Sequence, residues 1–176
     1  MPGTQPFSLQ DAAAYPYVAG VAGTLVDIVA VKSIEQSANV ETVENRGDGA
    51  VIGAAADFSS LDLTITLGAY TPASIAAIAG GTVSTAGTGT TAITKLVRKS
   101  DDVLAYFKLA GQTRTKDSDG GAARITYPKV SWQGGPDFAL TDNEFSEFSV
   151  SAKAIPADTT KELYTYEAYT TWTALV

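Results

Sequence analysis

Residues 58–68 read FSSLDLTITLG, and their alternation decides the fold class. Leu61, Leu63, Ile65 and Leu67 fall on one face of an extended chain. Ser60, Asp62, Thr64 and Thr66 fall on the other. A period of two with one apolar face is the signature of a half-buried β-strand with solvent on its far side. The same alternation recurs on both sides of this segment. In residues 24–43, with an interruption expected near Lys32, Ile34, Ala38 and Val40 share one face with Gln36 between them. Glu35, Ser37, Asn39 and Glu41 share the opposite face. In residues 145–155, Phe148, Val150, Ala152 and Ala154 point one way, and Glu147, Ser149, Ser151 and Lys153 the other. Further strands are expected at 93–98, 103–111 and 123–132, separated by turn-like segments at Ser100-Asp101-Asp102 and 116–121. A last strand is expected in 163–175, with Tyr164, Tyr166 and Trp172 on one side.

The connections are less regular. Residues 44–57, ENRGDGAVIGAAAD, follow the first long strand. Asp48-Gly49 is a strong turn signal, and the surrounding Gly and Ala predict a long, flexible hairpin tip. Residues 71–81 predict the one helix. Thr71 suits the N-cap, Pro72 the first helical position and Gly80-Gly81 the stop, while Ile75, Ile78 and Ala79 supply a short apolar stripe. Residues 80–91 are low in complexity and predict a mobile loop. At the start, residues 1–23 are rich in Pro, Gly and Ala. Ser8 and Asp11 could cap one helical turn before Pro16. The segment reads as an extended arm or, alternatively, as a disordered tail. The resulting division is an N-terminal arm at 1–23, a β domain at 24–156 and a C-terminal strand or arm at 157–176.

Composition removes several classes of function. The 176 residues contain no Cys and no His. Disulfide frameworks and thiolate metal sites are therefore out of reach, as are Ser-His-Asp chemistry and most zinc hydrolases. Net charge is −7, from 19 acidic and 12 basic side chains, which argues against tight binding of nucleic acid, since phosphate affinity comes from Lys and Arg. No apolar run approaches the ~20 residues that span a bilayer. The first residues have neither the basic nor the apolar part of a signal peptide, so synthesis and folding in the cytoplasm are expected.

Short motifs carry little. Arg46-Gly47-Asp48 matches an adhesion tripeptide, but it opens an Asp-Gly turn and three-residue matches arise often by chance. Asp117, Asp119 and Gly120 have the wrong spacing for a calcium loop. Asp142, Asn143 and Glu144 could join a hard-cation site, although a loop before a strand explains them equally. No G-x-S-x-G elbow, P-loop or dinucleotide fingerprint is present. A Ser-Lys dyad stays open on sequence alone. The expectation is no enzyme, no cofactor and no resident metal. The polar strand faces say more. They are either an ordinary solvated face or the wall of a pore: hydrophilic, anionic and built from short side chains.

The order of the pieces resembles the major tail tube protein of siphophages. A strand pair joined by a long loop runs through TLVDIVAVKSIEQSANVETVENRGDGAVIGAAADFSSLDLTITLGAY. A short helix follows at TPASIAAIAGG, then more strands, and a late segment FALTDNEFSEFSVSAKAIP. The likeness covers residues 23 to about 156 and is one of overall pattern, since the family has no catalytic signature to match. It implies a β-sandwich or partly open barrel with one flanking helix and extended arms. It also implies hexameric rings stacked into a hollow tail tube in the virion, made in the cytoplasm of the bacterial host. The partners implied are further copies of the chain, a tape measure protein and tail-end proteins, with DNA passing through the lumen unbound and no membrane involved. Six copies of −7 give a ring charge of about −42, the sign suited to a conduit that must not hold DNA. On this reading Glu35, Glu41, Asp62 and Glu147 are the candidates to line the lumen, and Arg46, Gly47, Asp48 and Gly49 to contact the next ring. The tubes of contractile tails and type VI secretion systems share the pattern more remotely. A free-standing adhesion or virion decoration module is the alternative of a different class.

Overall fold

The computed structural model describes residues 6–18, 20–47, 50–102, 106–115, 121–138 and 147–175. In chain order the strands are β1 (Pro6–Val18), β2 (Val21–Ala22), β3 (Val26–Asp27), β4 (Val31–Gly47) and β5 (Ala50–Leu67). Then come α1 (Pro72–Ala79), β6 (Thr82–Ala86) and β7 (Ile93–Val97), with a 3-10 turn at Gly89–Thr91 between the last two. β8 (Phe107–Thr115), β9 (Ala122–Phe138), β10 (Phe148–Ala154) and β11 (Thr165–Tyr169) complete the chain. The protein is mainly β. One antiparallel sheet runs β2-β1-β8-β9-β10-β5-β4, and a separate two-stranded sheet joins β6 to β7. β9 is long enough to hold two partners along one edge, β11 against Ala122–Thr126 and β10 against Val130–Phe138.

The alternation that predicts the strands also builds the core. Leu61, Leu63, Ile65 and Leu67 of β5 are buried beside Phe148, Val150, Ala152 and Ala154 of β10. They meet Phe107 and Leu109 of β8, Tyr127 and Val130 of β9, and Ile75 and Ile78 of α1 in one cluster. Each buried Leu, Ile, Val or Phe among them contributes about 1.5–3 kcal/mol by leaving water. The sheet bends so that β4 faces β8 and β9 across this interior. A Cβ on Gly111 would sit 2.9 Å from Ile34 Cδ1. Tyr127 donates from its hydroxyl to Gln36 Oε1 at 2.8 Å.

α1 occupies the expected residues. Thr71 Oγ1 accepts from the Ser74 amide at 3.1 Å, and Ser74 Oγ accepts from the Thr71 amide at 2.9 Å. This reciprocal box satisfies two otherwise orphaned donors, and an N-cap of this kind is worth about 1 kcal/mol.

Three expectations are corrected. First, the N-terminal segment is neither an arm nor a tail over residues 6–18. β1 pairs with β8 from Pro6↔Thr115 to Pro16↔Phe107, and Ala12, Ala13 and Ala14 are all buried. Three consecutive buried positions mean cover on both faces, so no period-two signal exists for the sequence to show. β1 and β11 both belong to the large sheet. Second, residues 44–47 and 50–57 are paired strand rather than an open loop. The β4–β5 ladder continues through them to Arg46↔Val51 and Gly47↔Ala50. Asp48 and Gly49 lie outside the described residues. Third, residues 82–86 form β6, paired with β7 in regular register, rather than part of a loop.

The return from β1 into β2 depends on Gly23. Its amide donates to Pro16 O at 2.8 Å, and a Cβ there would also stand 2.8 Å from that oxygen. Gly23→Ala is expected to destabilise the fold by about 1–3 kcal/mol through backbone displacement, read as a shift of the chemical unfolding midpoint. A midpoint equal to that of the wild type would show that the β1–β2 return is free to move.

Candidate assembly surface

The three polar stripes of the sequence meet on one face. Cross-strand pairing sets Ser33, Glu35 and Ser37 of β4 opposite Thr66, Thr64 and Asp62 of β5. The same β5 residues stand opposite Ser149, Ser151 and Lys153 of β10 on their other side, and Lys153 in turn pairs with Ser131 of β9. The result is a continuous surface of hydroxyls with a few charges, backed by the apolar core. Short Ser and Thr side chains keep it low and even, because only Lys and the carboxylates reach far from the backbone.

The charges on this face are not all acidic. Glu147, just ahead of β10, pairs with Lys32. Lys32 is the extra residue at a register shift between Val31 and Ser33, the interruption expected from sequence. Asp62 Oδ1 lies 3.6 Å from Lys153 Nζ. Glu35 Oε1 accepts a longer bond from Ser33 Oγ at 3.4 Å. Glu35, Asp62 and Glu147 thus share one face, and two of the three stand beside lysines. The face is therefore less anionic than its acids alone suggest. Coulomb attraction at these exposed sites is weak, so the pairs neutralise the face more than they stabilise the fold. The Glu41 side chain lies outside the described residues. Its backbone pairs with Asp57.

Beyond this face β4 and β5 continue as a two-stranded ribbon. From Val40↔Phe58 to Gly47↔Ala50 each strand has only the other as its sheet partner among the described residues. Arg46 and Gly47 sit at its far end, with their side chains outside the described residues. At the root, Val40 and Phe58 are exposed by 46% and 58%. Beside that root a concave hollow of about 530 Å³ is lined by Gln36, Ala38, Phe58, Leu61, Lys161, Leu163 and Tyr164.

The C-terminal segment lies against β1 and β8. Gln112, buried in β8, donates to Thr173 O at 2.9 Å and accepts from Arg124 Nη2 at 3.2 Å. The Leu175 amide donates to Asp11 Oδ2 at 2.8 Å. Arg114 lies over the Trp172 ring and Arg124 over the Tyr169 ring. Sequence reading missed this network, because its partners are far apart in the chain. Burial, and secondarily Tyr164, push the Tyr127 hydroxyl up to about 12, so it stays a proton donor to Gln36 at ordinary pH.

Lys129 donates to both carboxylate oxygens of Asp158 at 2.8 Å. This hydrogen bond and the ammonium charge hold the Asp158 carboxyl below its ordinary 3.8. A depressed carboxyl contributes stability above its unfolded value and loses it as pH falls through the folded value. Asp158→Asn should therefore melt slightly lower at neutral pH, and the gap should close as pH drops below 3.8. A gap that persists unchanged in acid would assign the effect to something other than this pair.

Among the described residues no group of three or more Asp or Glu could hold a metal ion. Asp117, Asp119, Gly120, Asp142, Asn143 and Glu144 lie outside the described residues. Among the described residues no helix is long and apolar enough to cross a membrane. No family model matches the chain, and no curated protein matches it.

Proposed function

We propose that this chain is a structural building block that assembles with copies of itself into stacked hexameric rings forming a hollow tube, as in the tail of a siphophage virion. The observation that carries the reading is the pairing of a broad, hydroxyl-rich sheet face with a ribbon that runs on beyond the sheet from β4 and β5. The face suits a wall past which a polyanion slides without sticking. The ribbon suits contact with the next ring. The bent sheet, with Ile34 against Gly111, is compatible with a partly open barrel flanked by α1. No catalytic step and no cofactor enter this reading. Its partners are further copies of the chain, with a tape measure protein and tail-end proteins at the limits of the tube.

The lumen candidates are Glu35, Asp62 and Glu147, with Glu41 on the same strand. The inter-ring candidates are Arg46 to Gly49 at the end of the ribbon. Residues 6–18 and 165–169 of the two terminal segments belong to the sheet as β1 and β11, which moves the burden of assembly onto the ribbon and the exposed hairpin of β6 and β7.

One observation favours a different class. Tyr164, just ahead of β11, and Tyr166 within it are exposed and fall on one side of the extended chain, an aromatic pair of the kind a free-standing adhesion or decoration module presents. Light scattering over a wide concentration range, followed by negative-stain microscopy, separates the two. Rings or tubes are expected on concentration. A protein that remains monomeric throughout, with no tubes in the micrographs, would overturn the assembly reading in favour of the module.

A further inference from the structure

The hollow beside the ribbon root carries features that the core does not need. Its volume of about 530 Å³ falls in the range of small-ligand sites. The first feature is a bulge. Asn39 pairs with Ser60 and Val40 with Phe58, so Ser59 is an extra residue without a partner in the β4–β5 ladder. One extra residue reverses the alternation of a strand and re-aims the side chain beyond it. Phe58 is thereby turned to the side of Leu61, where both line the hollow.

The second feature is the backbone of Lys161. Its φ of 60° is left-handed, a costly conformation for a residue with a Cβ. A hydrogen bond from its amide to Ala157 O at 3.0 Å holds it there. This places the lysine on the wall of the hollow with Leu163 and Tyr164. Asp158 does not neutralise it, because both carboxylate oxygens accept from Lys129. Glu162 is exposed beside it in the chain. Among the described residues no carboxylate is bonded to the Lys161 ammonium.

The lining is also mixed. Tyr127 donates to Gln36 Oε1, which leaves Gln36 Nε2 as the end that donates toward the hollow. An amide and an ammonium thus stand among Phe58, Leu61, Leu163 and the Tyr164 ring. A wholly apolar occupant would cover those donors without pairing them, at a cost. The lining calls for a flat apolar face edged with oxygen acceptors. A pyranose ring has both: its C–H face packs on an aromatic ring, and its oxygens stand around the rim. A carboxylate on that ring would pair with the lysine in a charge-assisted hydrogen bond.

We infer that this hollow binds an acidic saccharide of the uronic-acid class, with a sugar ring against Phe58 and Tyr164 and its carboxylate on Lys161 Nζ. The site lies within a single copy and does not require self-assembly.

Titration calorimetry of the full chain with trigalacturonate, and with maltotriose as the neutral trisaccharide, tests this. The charged hydrogen bond should make trigalacturonate the tighter ligand by about tenfold or more. Phe58→Ala removes stacking surface, and Ala38→Trp fills the hollow. Both positions are exposed, so each variant should melt near the wild type while binding roughly tenfold more weakly. Lys161→Gly separates structure from binding. Glycine adopts this φ without strain, so K161G should melt no lower than the wild type and yet lose the preference for the acidic sugar. No binding of trigalacturonate, undiminished binding by A38W, or a preference that survives in K161G would each overturn the inference. Sugars that give no heat, with an A38W chain that no longer self-associates, would assign the hollow to a neighbouring copy instead.

Discussion

Replacing residues 41–57 with an Asn-Gly dipeptide should leave a folded domain that forms no tubes. Val40 and Phe58 are directly opposite in the β4–β5 ladder, so a two-residue turn of the Asn-Gly type can close the shortened hairpin between them. The excised part of β5 pairs with β4 alone, whereas Leu61 to Leu67 are held by β10 as well. All four buried β5 side chains of the core lie in that retained part. A loss of about 1 kcal/mol or less is expected, a fall of ~2–4 °C in melting temperature for a chain of this size. Assembly should fail, because the ribbon extends past the sheet and on the proposed reading carries the contact between rings. Circular dichroism and a melt establish the fold, and negative-stain microscopy scores the tubes. Tubes of normal length from the shortened chain would remove the ribbon from the contact between rings.

The strands legible in the sequence are those with one wet face. β5 and β10 alternate cleanly because their inner side chains meet a core and their outer ones do not. β1 was hidden because Ala12 to Ala14 are covered on both faces, and β6 because Thr, Ser and Ala are exposed on both. In each case the two faces resemble one another, and periodicity has nothing to report. The ribbon was hidden differently. Its Gly and Ala content signals flexibility by local propensity, but a ladder adds a partner at every step, and pairing outweighs propensity. The α1 cap was visible as Thr71 and Pro72. Of the candidate face, each stripe was legible singly. That the stripes adjoin was not, because it depends on Ser149 lying opposite Thr66 and Ser33 opposite the same residue. The place of Lys32 beside Glu147 is likewise a contact between residues more than a hundred positions apart.

Those lysines sharpen the test of the lumen assignment. On the described face Glu35, Asp62 and Glu147 are set against Lys32 and Lys153, so the balance is close and a small change reverses it. Glu35→Lys with Asp62→Lys alters the charge by four units per chain, roughly 24 per six-membered ring, against a duplex that carries one negative charge per about 1.7 Å. Asp62 lies 3.6 Å from Lys153, and both are partly open to solvent, so the fold should tolerate the change with little loss. Tubes should still form, since the face lies apart from the ribbon. If the face lines the lumen, tubes assembled from E35K/D62K in the presence of short duplex DNA should retain DNA that nuclease cannot reach, and raising the salt should release it steeply as counterions replace the lysines. Wild-type tubes should retain none. If the face is instead the outer surface, the same variant binds DNA that nuclease digests fully. Digestible DNA on intact tubes would therefore move these residues to the outside while leaving the tube itself standing.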